Sequence, residues 1–190
     1  MKTVSFRQMK DGTRADYEFL DGLEREYIAA LPERILDALR ALDNSLGGYR
    51  VTRLEHSLQT ATRAEADGAD DDMVAGALLH DIGDVLAPVN HADYAAAILR
   101  PYVREEVAWI VAHHDVFQMY YYAQHTGGDP HLRNKYRDYR WFDACANFCE
   151  HWDQASFDPD YPTQPLAHFE PLVRRVFSRR PFDPAITQTG

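Results

Sequence analysis

One short stretch constrains the fold more than any other: an apolar segment that ends in an adjacent histidine and aspartate, His80 and Asp81. The preceding residues 70–79 are predicted to form a helix, because aspartates at 70–72 supply a cap and negative charge at its positive end. Two apolar series at i, i+4 and i+7 run into the polar pair. They are Met73, Ala77, His80 and Val74, Leu78, Asp81. Both polar side chains are therefore expected to point into the protein.

A carboxylate and an imidazole buried side by side are costly unless each is paired or bound to a metal ion. The alternative is a helix end whose His and Asp are satisfied by backbone groups. Further histidines and acids along the chain favour metal binding over this helix end.

Composition limits the class of partner. The chain has 190 residues and a net charge of −10, which argues against nucleic acid or an anionic membrane surface as the main partner. No apolar run approaches the ~20 residues that a membrane span needs, and the polar N-terminus lacks a signal-peptide core. Cys145 and Cys149, spaced i, i+4, are interpreted as core thiols of a cytoplasmic protein.

Helical periodicity dominates the chain, and no strand-like alternation of useful length is present. The predicted class is all-α, with residues 1–190 forming a single domain. A polar arm over 1–15 precedes it, a tail over 181–190 follows it, and residues 123–134 are predicted to be a long loop. The predicted helices span 16–30, from 32 onward, 51–67, 70–79, from 91 to the break at Pro101, 102–122, 138–152 and 166–178.

Six candidate metal ligands stand out, four imidazoles and two carboxylates. They are His56, His80, Asp81, His91, His114 and Asp153. Nitrogen and oxygen donors without thiolate suit iron, manganese, zinc or magnesium, and six ligands fit two ions better than one, with Asp81 as the shared carboxylate. His114 continues a buried stripe, whereas His113 lies about 100° around the helix. Periodicity alone does not place His56 inward.

The spacing His56, His80-Asp81, Asp153 resembles the HD-domain superfamily, and the added His91 and His114 resemble its dinuclear branch. Segments 54–59, 77–83 and 151–153 are similar to phosphonate-cleaving HD oxygenases, relatives of myo-inositol oxygenase that use a mixed-valent diiron site.

The resemblance implies a helical HD bundle that holds an Fe(II)/Fe(III) pair and uses O2 as co-substrate. One iron would bind His56, His80, Asp81 and Asp153, and the other Asp81, His91 and His114. His80 and Asp81 would carry the catalytic role. The implied reaction cleaves the C–P bond of a 1-hydroxyalkylphosphonate to give a carboxylate and phosphate. Two alternatives stay open: an HD phosphohydrolase that uses metal-activated water, and a metal-binding module without catalysis.

The substrate end departs from the family pattern. Relatives carry basic groups where this chain has Asp84 and Glu150, so Arg133 and Lys135 are candidates to replace them. The tyrosines and acids favour a substrate with a trimethylammonium group, because aromatic faces and carboxylates hold such cations, and the product would then be glycine betaine. The expected substrate-binding residues are Tyr49, Asp84, Tyr94, Gln118, Arg133 and Lys135. Asp84, Glu55 and Asp115 are candidate acceptors for the ligand imidazoles. The oligomeric state stays open.

Overall fold

The computed structural model describes residues 2–188, and this part of the chain is helical without strands. The all-α prediction is therefore confirmed. The α-helices are α1 Arg14–Ala29, α2 Leu31–Ala41, α3 Arg53–Ala66, α4 Asp71–Leu79, α5 His91–Leu99, α6 Glu105–Thr126, α7 Phe142–Phe148, α8 Leu166–Phe177 and α9 Pro184–Thr187. Short 3-10 turns occupy Met9–Asp11, Leu42–Asn44 and Leu132–Tyr136, and a π-helix occupies Cys149–Asp153.

Helix α4 is the centre of the bundle. It begins at the Asp70 cap, whose side chain accepts a hydrogen bond from the Met73 backbone, as the sequence predicts. Every residue from Asp72 to Leu79 is buried, because α3, α6 and α8 all pack against this helix. Gly76 permits the close approach of α6, since a Cβ there would lie 2.6 Å from Cγ1 of Val107. The chain leaves α4 at His80 and Asp81, and Asp81 lines a cavity of the bundle.

Helices α3 and α6 flank α4. A capping box fixes the start of α3, where Thr52 and Glu55 exchange side-chain and backbone hydrogen bonds. Helix α6 packs against α5 and α7 and ends at Gly127, which adopts φ 78°. The predicted loop over 123–134 is therefore wrong at both ends, because α6 continues to Thr126 and a 3-10 turn starts at Leu132.

Further boundaries differ from prediction. Helix α1 begins at Arg14, inside the predicted arm over 1–15, and α6 begins at Glu105 and not at residue 102. The helix expected over 138–152 begins at Phe142 and widens into the π-helix Cys149–Asp153. The tail over 181–190 contains the short helix α9, and its residues 189–190 lie outside the described part of the chain. No helix among the described residues is long and apolar enough to cross a bilayer.

Candidate metal centre

The structure brings all six candidate ligands together inside the helical bundle. Helix α3 contributes one, the end of α4 two, the start of α5 one, α6 one and the π-helix one. Their ligand atoms form three overlapping groups, and within each group the atoms lie within 4.8 Å of one another. The groups are His56, His80, Asp81; His80, His114, Asp153; and Asp81, His91, His114.

Asp81 lies between two pairs of imidazoles. Its Oδ2 is 3.4 Å from Nε2 of His56 and 3.5 Å from Nε2 of His80. Its Oδ1 is 3.3 Å from Nε2 of His114 and 3.4 Å from Nε2 of His91. One oxygen therefore faces each pair, which is the arrangement that a carboxylate shared by two ions requires.

Backbone carbonyls orient three of the imidazoles. Nδ1 of His56 donates to the carbonyl of Ser156 at 2.9 Å, and Nδ1 of His80 donates to the carbonyl of Ala77 at 2.8 Å. Nδ1 of His114 donates in the same way to the carbonyl of Val111 at 2.7 Å. In the neutral ring each Nε2 is then an unprotonated acceptor directed at the centre.

The acceptors predicted from sequence are mostly wrong. Glu55 is exposed and caps α3, and the hydrogen bond of Asp115 comes from the backbone of Val116. Only Asp84 lies near an imidazole, with Oδ1 at 3.6 Å from Nδ1 of His91.

The imidazole lone pairs provide a test of whether metal ions fit this site. Nε2 of His56 lies 3.0 Å from Nε2 of His80, and Nε2 of His91 lies 3.3 Å from Nε2 of His114. Two unprotonated nitrogens facing each other at this distance repel unless a proton or a cation lies between them. Imidazole nitrogens that surround two carboxylates in this way suit divalent or trivalent metal ions.

The carboxylates are held ionised by the imidazoles. Burial works to raise the pKa of Asp81, but His80, His114 and His56 outweigh it and place that pKa well below its ordinary value. Burial works to lower the pKa of His80, but Asp81 and Asp153 outweigh it and place that pKa above its ordinary value. These opposite shifts favour negative charge on the carboxylates and protons on the imidazoles, and bound cations would take the place of those protons.

Asp153 reaches the site because the π-helix changes the local helical register. Such single-turn π segments are frequent at functional sites. Oδ1 of Asp153 accepts a hydrogen bond from Nε2 of Gln118 at 3.1 Å and lies 3.2 Å from Nε2 of His56. Its Oδ2 is buried and has no hydrogen-bond partner among the described residues. An orphaned carboxylate oxygen at this position is what a metal ligand looks like before the ion is bound.

His113 lies outside the cluster, as predicted. Its ring stacks on Trp109 with centroids 4.1 Å apart, and its Nδ1 donates to the Trp109 carbonyl at 2.7 Å. His114, in contrast, is buried in the cluster.

A cavity of about 380 Å³ opens onto the ligands. Besides ligands, its lining includes Tyr49 and Gln118, two of the predicted substrate-binding residues. The side chains that line it are Tyr49, Arg53, His56, Asp81, His91, His114, Asp115, Gln118, Tyr121, Tyr122, Asp153, Gln154 and Phe157.

Four predicted substrate-binding residues do not line this cavity. Tyr94 packs against the hydrophobic core, and Asp84 is buried against Arg53. The guanidinium of Arg133 stacks on Tyr120 at 3.7 Å from the ring centroid. Lys135 is exposed, with its ammonium 4.8 Å from the ring centroid of Tyr136. The structure therefore does not bring these four residues to the cavity wall, although Arg133 lies close enough to Tyr121 to oppose part of the rise in its pKa.

Arg53 is one of the cavity residues that sequence reasoning missed. Its Nε lies 2.8 Å from Oδ2 of Asp84, and its Nη1 lies 3.4 Å from Oδ2 of Asp81. The sequence signal was its position three residues before His56, one turn away along the same helix.

The rest of the lining is aromatic and acidic. Tyr49 packs on Phe157 with centroids 5.0 Å apart, and Phe157 in turn stacks on His56 at 4.3 Å. Burial raises the pKa of Tyr121 to about 12 and also raises that of Tyr122, so both phenols stay neutral at physiological pH. The cavity thus has an aromatic wall in contact with a ligand imidazole.

Comparison with known proteins gives one family. The family model described as HD domain matches residues 53–156, more than half of the chain, and this range contains all six candidate ligands. A comparison with curated proteins gave no match.

Proposed function

Because this chain belongs to the HD-domain family, whose members are usually metal-dependent enzymes, we propose that it is a diiron oxygenase that cleaves the C–P bond of a 1-hydroxyalkylphosphonate. The observation that carries this proposal is the position of Asp81, with one oxygen toward His56 and His80 and the other toward His91 and His114. A single ion would leave half of these donors unused.

The donor set fits two irons. His56, His80, Asp81 and Asp153 would hold one ion, and Asp81, His91 and His114 the other, as the resemblance to diiron HD oxygenases implies. Bound iron would supply a Lewis acid for the substrate oxygens and a redox centre for O2, while the electrons that reduce O2 overall come from the substrate. The overall reaction consumes one O2 per hydroxyphosphonate and releases a carboxylate, inorganic phosphate and a proton.

The protein's own groups prepare the site for this chemistry. Carbonyls that accept from Nδ1 keep the imidazoles in one tautomer. Gln118 donates to Oδ1 of Asp153 and thereby fixes the carboxylate orientation. Phe157 covers the ring of His56 and keeps water from that side of the site.

The cavity wall supports a cationic group on the substrate. Tyr49, Tyr122 and Phe157 present aromatic faces, and Asp115 adds a carboxylate that has no ion-pair partner among the described residues. Aromatic faces with a nearby carboxylate suit a quaternary ammonium. We therefore propose a trimethylammonium-substituted hydroxyphosphonate, with glycine betaine as the carboxylate product.

The test is oxygen-dependent turnover. Iron-loaded protein is mixed with 1-hydroxy-2-(trimethylammonio)ethylphosphonate, and O2 uptake and phosphate release are recorded with and without air. The proposal expects one O2 consumed per phosphate released and no phosphate under anaerobic conditions. Full phosphate release without O2 would refute it.

A metal-dependent phosphohydrolase is the second candidate, because the family match supports a metal-dependent HD hydrolase. Anaerobic incubation of the same protein with nucleoside 5′-monophosphates separates the two. Phosphate release there, without any O2-dependent reaction of the phosphonate, would favour the hydrolase.

A further inference from the structure

We infer that Arg53, anchored by Asp84, binds the tetrahedral anionic group of the substrate, a phosphonate or phosphate, beside the metal centre. This inference rests on the proposed function for the presence of such a group in the substrate. Its physical basis is the Arg53 side chain itself.

The charges of the side chains that line the cavity support this inference. Arg53 is the one lysine or arginine among the described residues that line the main cavity, whereas Asp81, Asp115 and Asp153 contribute carboxylates. Arg133 and Lys135, the cations first expected to grip an anion, are directed onto Tyr120 and Tyr136 instead. A dianion entering this cavity therefore meets one lysine or arginine in the described lining, besides any bound metal.

Arg53 also has hydrogen-bond donors that no described residue accepts from. A guanidinium carries five N–H donors, yet Arg53 forms no well-aligned hydrogen bond with any described residue. Its buried Nε lies 2.8 Å from Oδ2 of Asp84 but its hydrogen is not directed at that oxygen, and both atoms lack a hydrogen-bond partner. Buried donors of this kind in native proteins are normally satisfied, and an anion in the cavity would satisfy them.

The position of Arg53 supports the inference as well. Nη1 of Arg53 lies 3.4 Å from Oδ2 of Asp81, the oxygen that also faces His56 and His80. An anion that reaches this side of the centre is therefore next to the guanidinium. The forked geometry of arginine suits two oxygens of a phosphonate at once, which a lysine cannot match.

Asp84 acts as the positioning residue. Its side chain is 7 % exposed, and its contact with Nε holds the guanidinium from behind. The Tyr49 ring, 5.2 Å from the guanidinium carbon, limits movement on another side. A side chain fixed before the substrate arrives loses less entropy on binding, which favours affinity.

The competing explanation is that Arg53 only neutralises the neighbouring carboxylates Asp81 and Asp84. A binding experiment separates the two explanations. The probe is methylphosphonate, which lacks the hydroxyl and cannot undergo the proposed oxidation, and inorganic phosphate serves as the second probe. Affinities for metal-loaded protein are measured by calorimetry, together with metal content.

The variants are Arg53→Gln, Arg53→Lys and the double variant Arg53→Gln/Asp84→Asn. The double variant removes both charges of the ion pair, so it leaves no unpaired Asp84 that could disturb folding. The matched control is Arg50→Gln, because Arg50 is an exposed arginine in the same segment that does not line the main cavity.

We expect Arg53→Gln and the double variant to bind methylphosphonate about tenfold more weakly or worse, with metal content unchanged, and Arg53→Lys to fall between them and the parent. Arg50→Gln should bind like the parent. If the double variant binds methylphosphonate within twofold of the parent, the inference is overturned and Arg53 is only a counterion. The inference is also overturned if Arg53→Gln loses its metal and the double variant regains both metal and binding.

The same data keep this inference apart from the proposed reaction. Arg53-dependent anion binding without O2 uptake on any hydroxyphosphonate would refute the proposed reaction alone. O2 uptake with a parent-like KM in Arg53→Gln would refute the anion site alone. If Arg53→Gln loses more affinity for inorganic phosphate than for methylphosphonate, the anion comes from a phosphate ester.

Discussion

Gly83 offers a direct test of how closely the second group of ligands depends on backbone packing. A Cβ at this position would lie 2.7 Å from both Cα and the carbonyl oxygen of His91. Ordinary van der Waals contact begins near 3.4 Å, so Gly83→Ala requires a displacement of about 0.7 Å. The obstacle is backbone, so no side-chain rotation relieves it, and overpacking of this kind costs about 1–3 kcal/mol.

The displacement acts on a candidate metal ligand. His91 opens α5, and its Nε2 must stay near Asp81 and His114 to hold an ion. Metal–ligand distances tolerate only about 0.2 Å, so a shift of the size needed here breaks ligation unless α5 rearranges. Gly83→Ala should therefore lose the ion of the Asp81, His91, His114 group and keep the other.

The assay combines metal analysis with urea unfolding. The expected result is about half of the parent's metal content and an unfolding free energy lower by about 1–3 kcal/mol in the metal-free protein. Gly47→Ala is the matched control, because a Cβ there meets no atom within 4 Å. Parent-like metal content and stability within about 0.5 kcal/mol for Gly83→Ala would refute the reasoning.

Three further predictions concern the ligands and the central helix. Asp81→Ala should lose both ions, whereas His91→Ala should keep about one, as elemental analysis of purified protein would show; equal losses would argue against a shared carboxylate. His113→Ala should keep its metal, because its ring stacks on Trp109 outside the cluster, and a loss as severe as that of His114→Ala would contradict this assignment. Asp70→Ala should lower the unfolding free energy by about 1–2 kcal/mol, since it removes the α4 cap. Burial works to raise the pKa of Asp70, but its hydrogen bonds with Arg104 outweigh burial and hold that pKa below its ordinary 3.8. The stabilisation by ionised Asp70 is therefore present above pH 4 and fades as the pH falls through the lower pKa of the folded state. A stability difference between parent and variant that persists unchanged at pH 2 would contradict it.

The sequence predicted the parts of the site that lie at the end of α4 and on α6, a helix that buries one face. The aspartate cap and the two apolar series indicated that His80 and Asp81 point inward, and both are buried. The stripe that ends at His114 separated it from His113, because Val107, Ile110 and Val111 face the core on the same side. Periodicity works on such helices because burial changes once per turn.

Periodicity failed on α3. Residues 56–62 of this helix are all buried, so its sequence carries no contrast between an inner and an outer face. The inward position of His56 could be expected only from its resemblance to the HD motif. Helix α4 is also enclosed by its neighbours, and there the apolar series leading to His80 and Asp81 indicated burial without any contrast between faces.

The substrate end was the least predictable part. The lining of the cavity depends on where long side chains reach across helices, as Arg53 does toward Asp84, and sequence spacing does not report such contacts. Arg133 and Lys135 were expected in the cavity because they follow a predicted loop, but α6 extends to Thr126 and both cations stack on tyrosines.

The central claim is that Asp81 joins two ions in one cavity, and anomalous X-ray diffraction at the iron absorption edge tests it most directly. Crystals of anaerobically iron-loaded protein should show two peaks roughly 3.5–4 Å apart, one on the side of His56 and His80 and one on the side of His91 and His114. A single peak, or iron bound away from Asp81, would contradict the account.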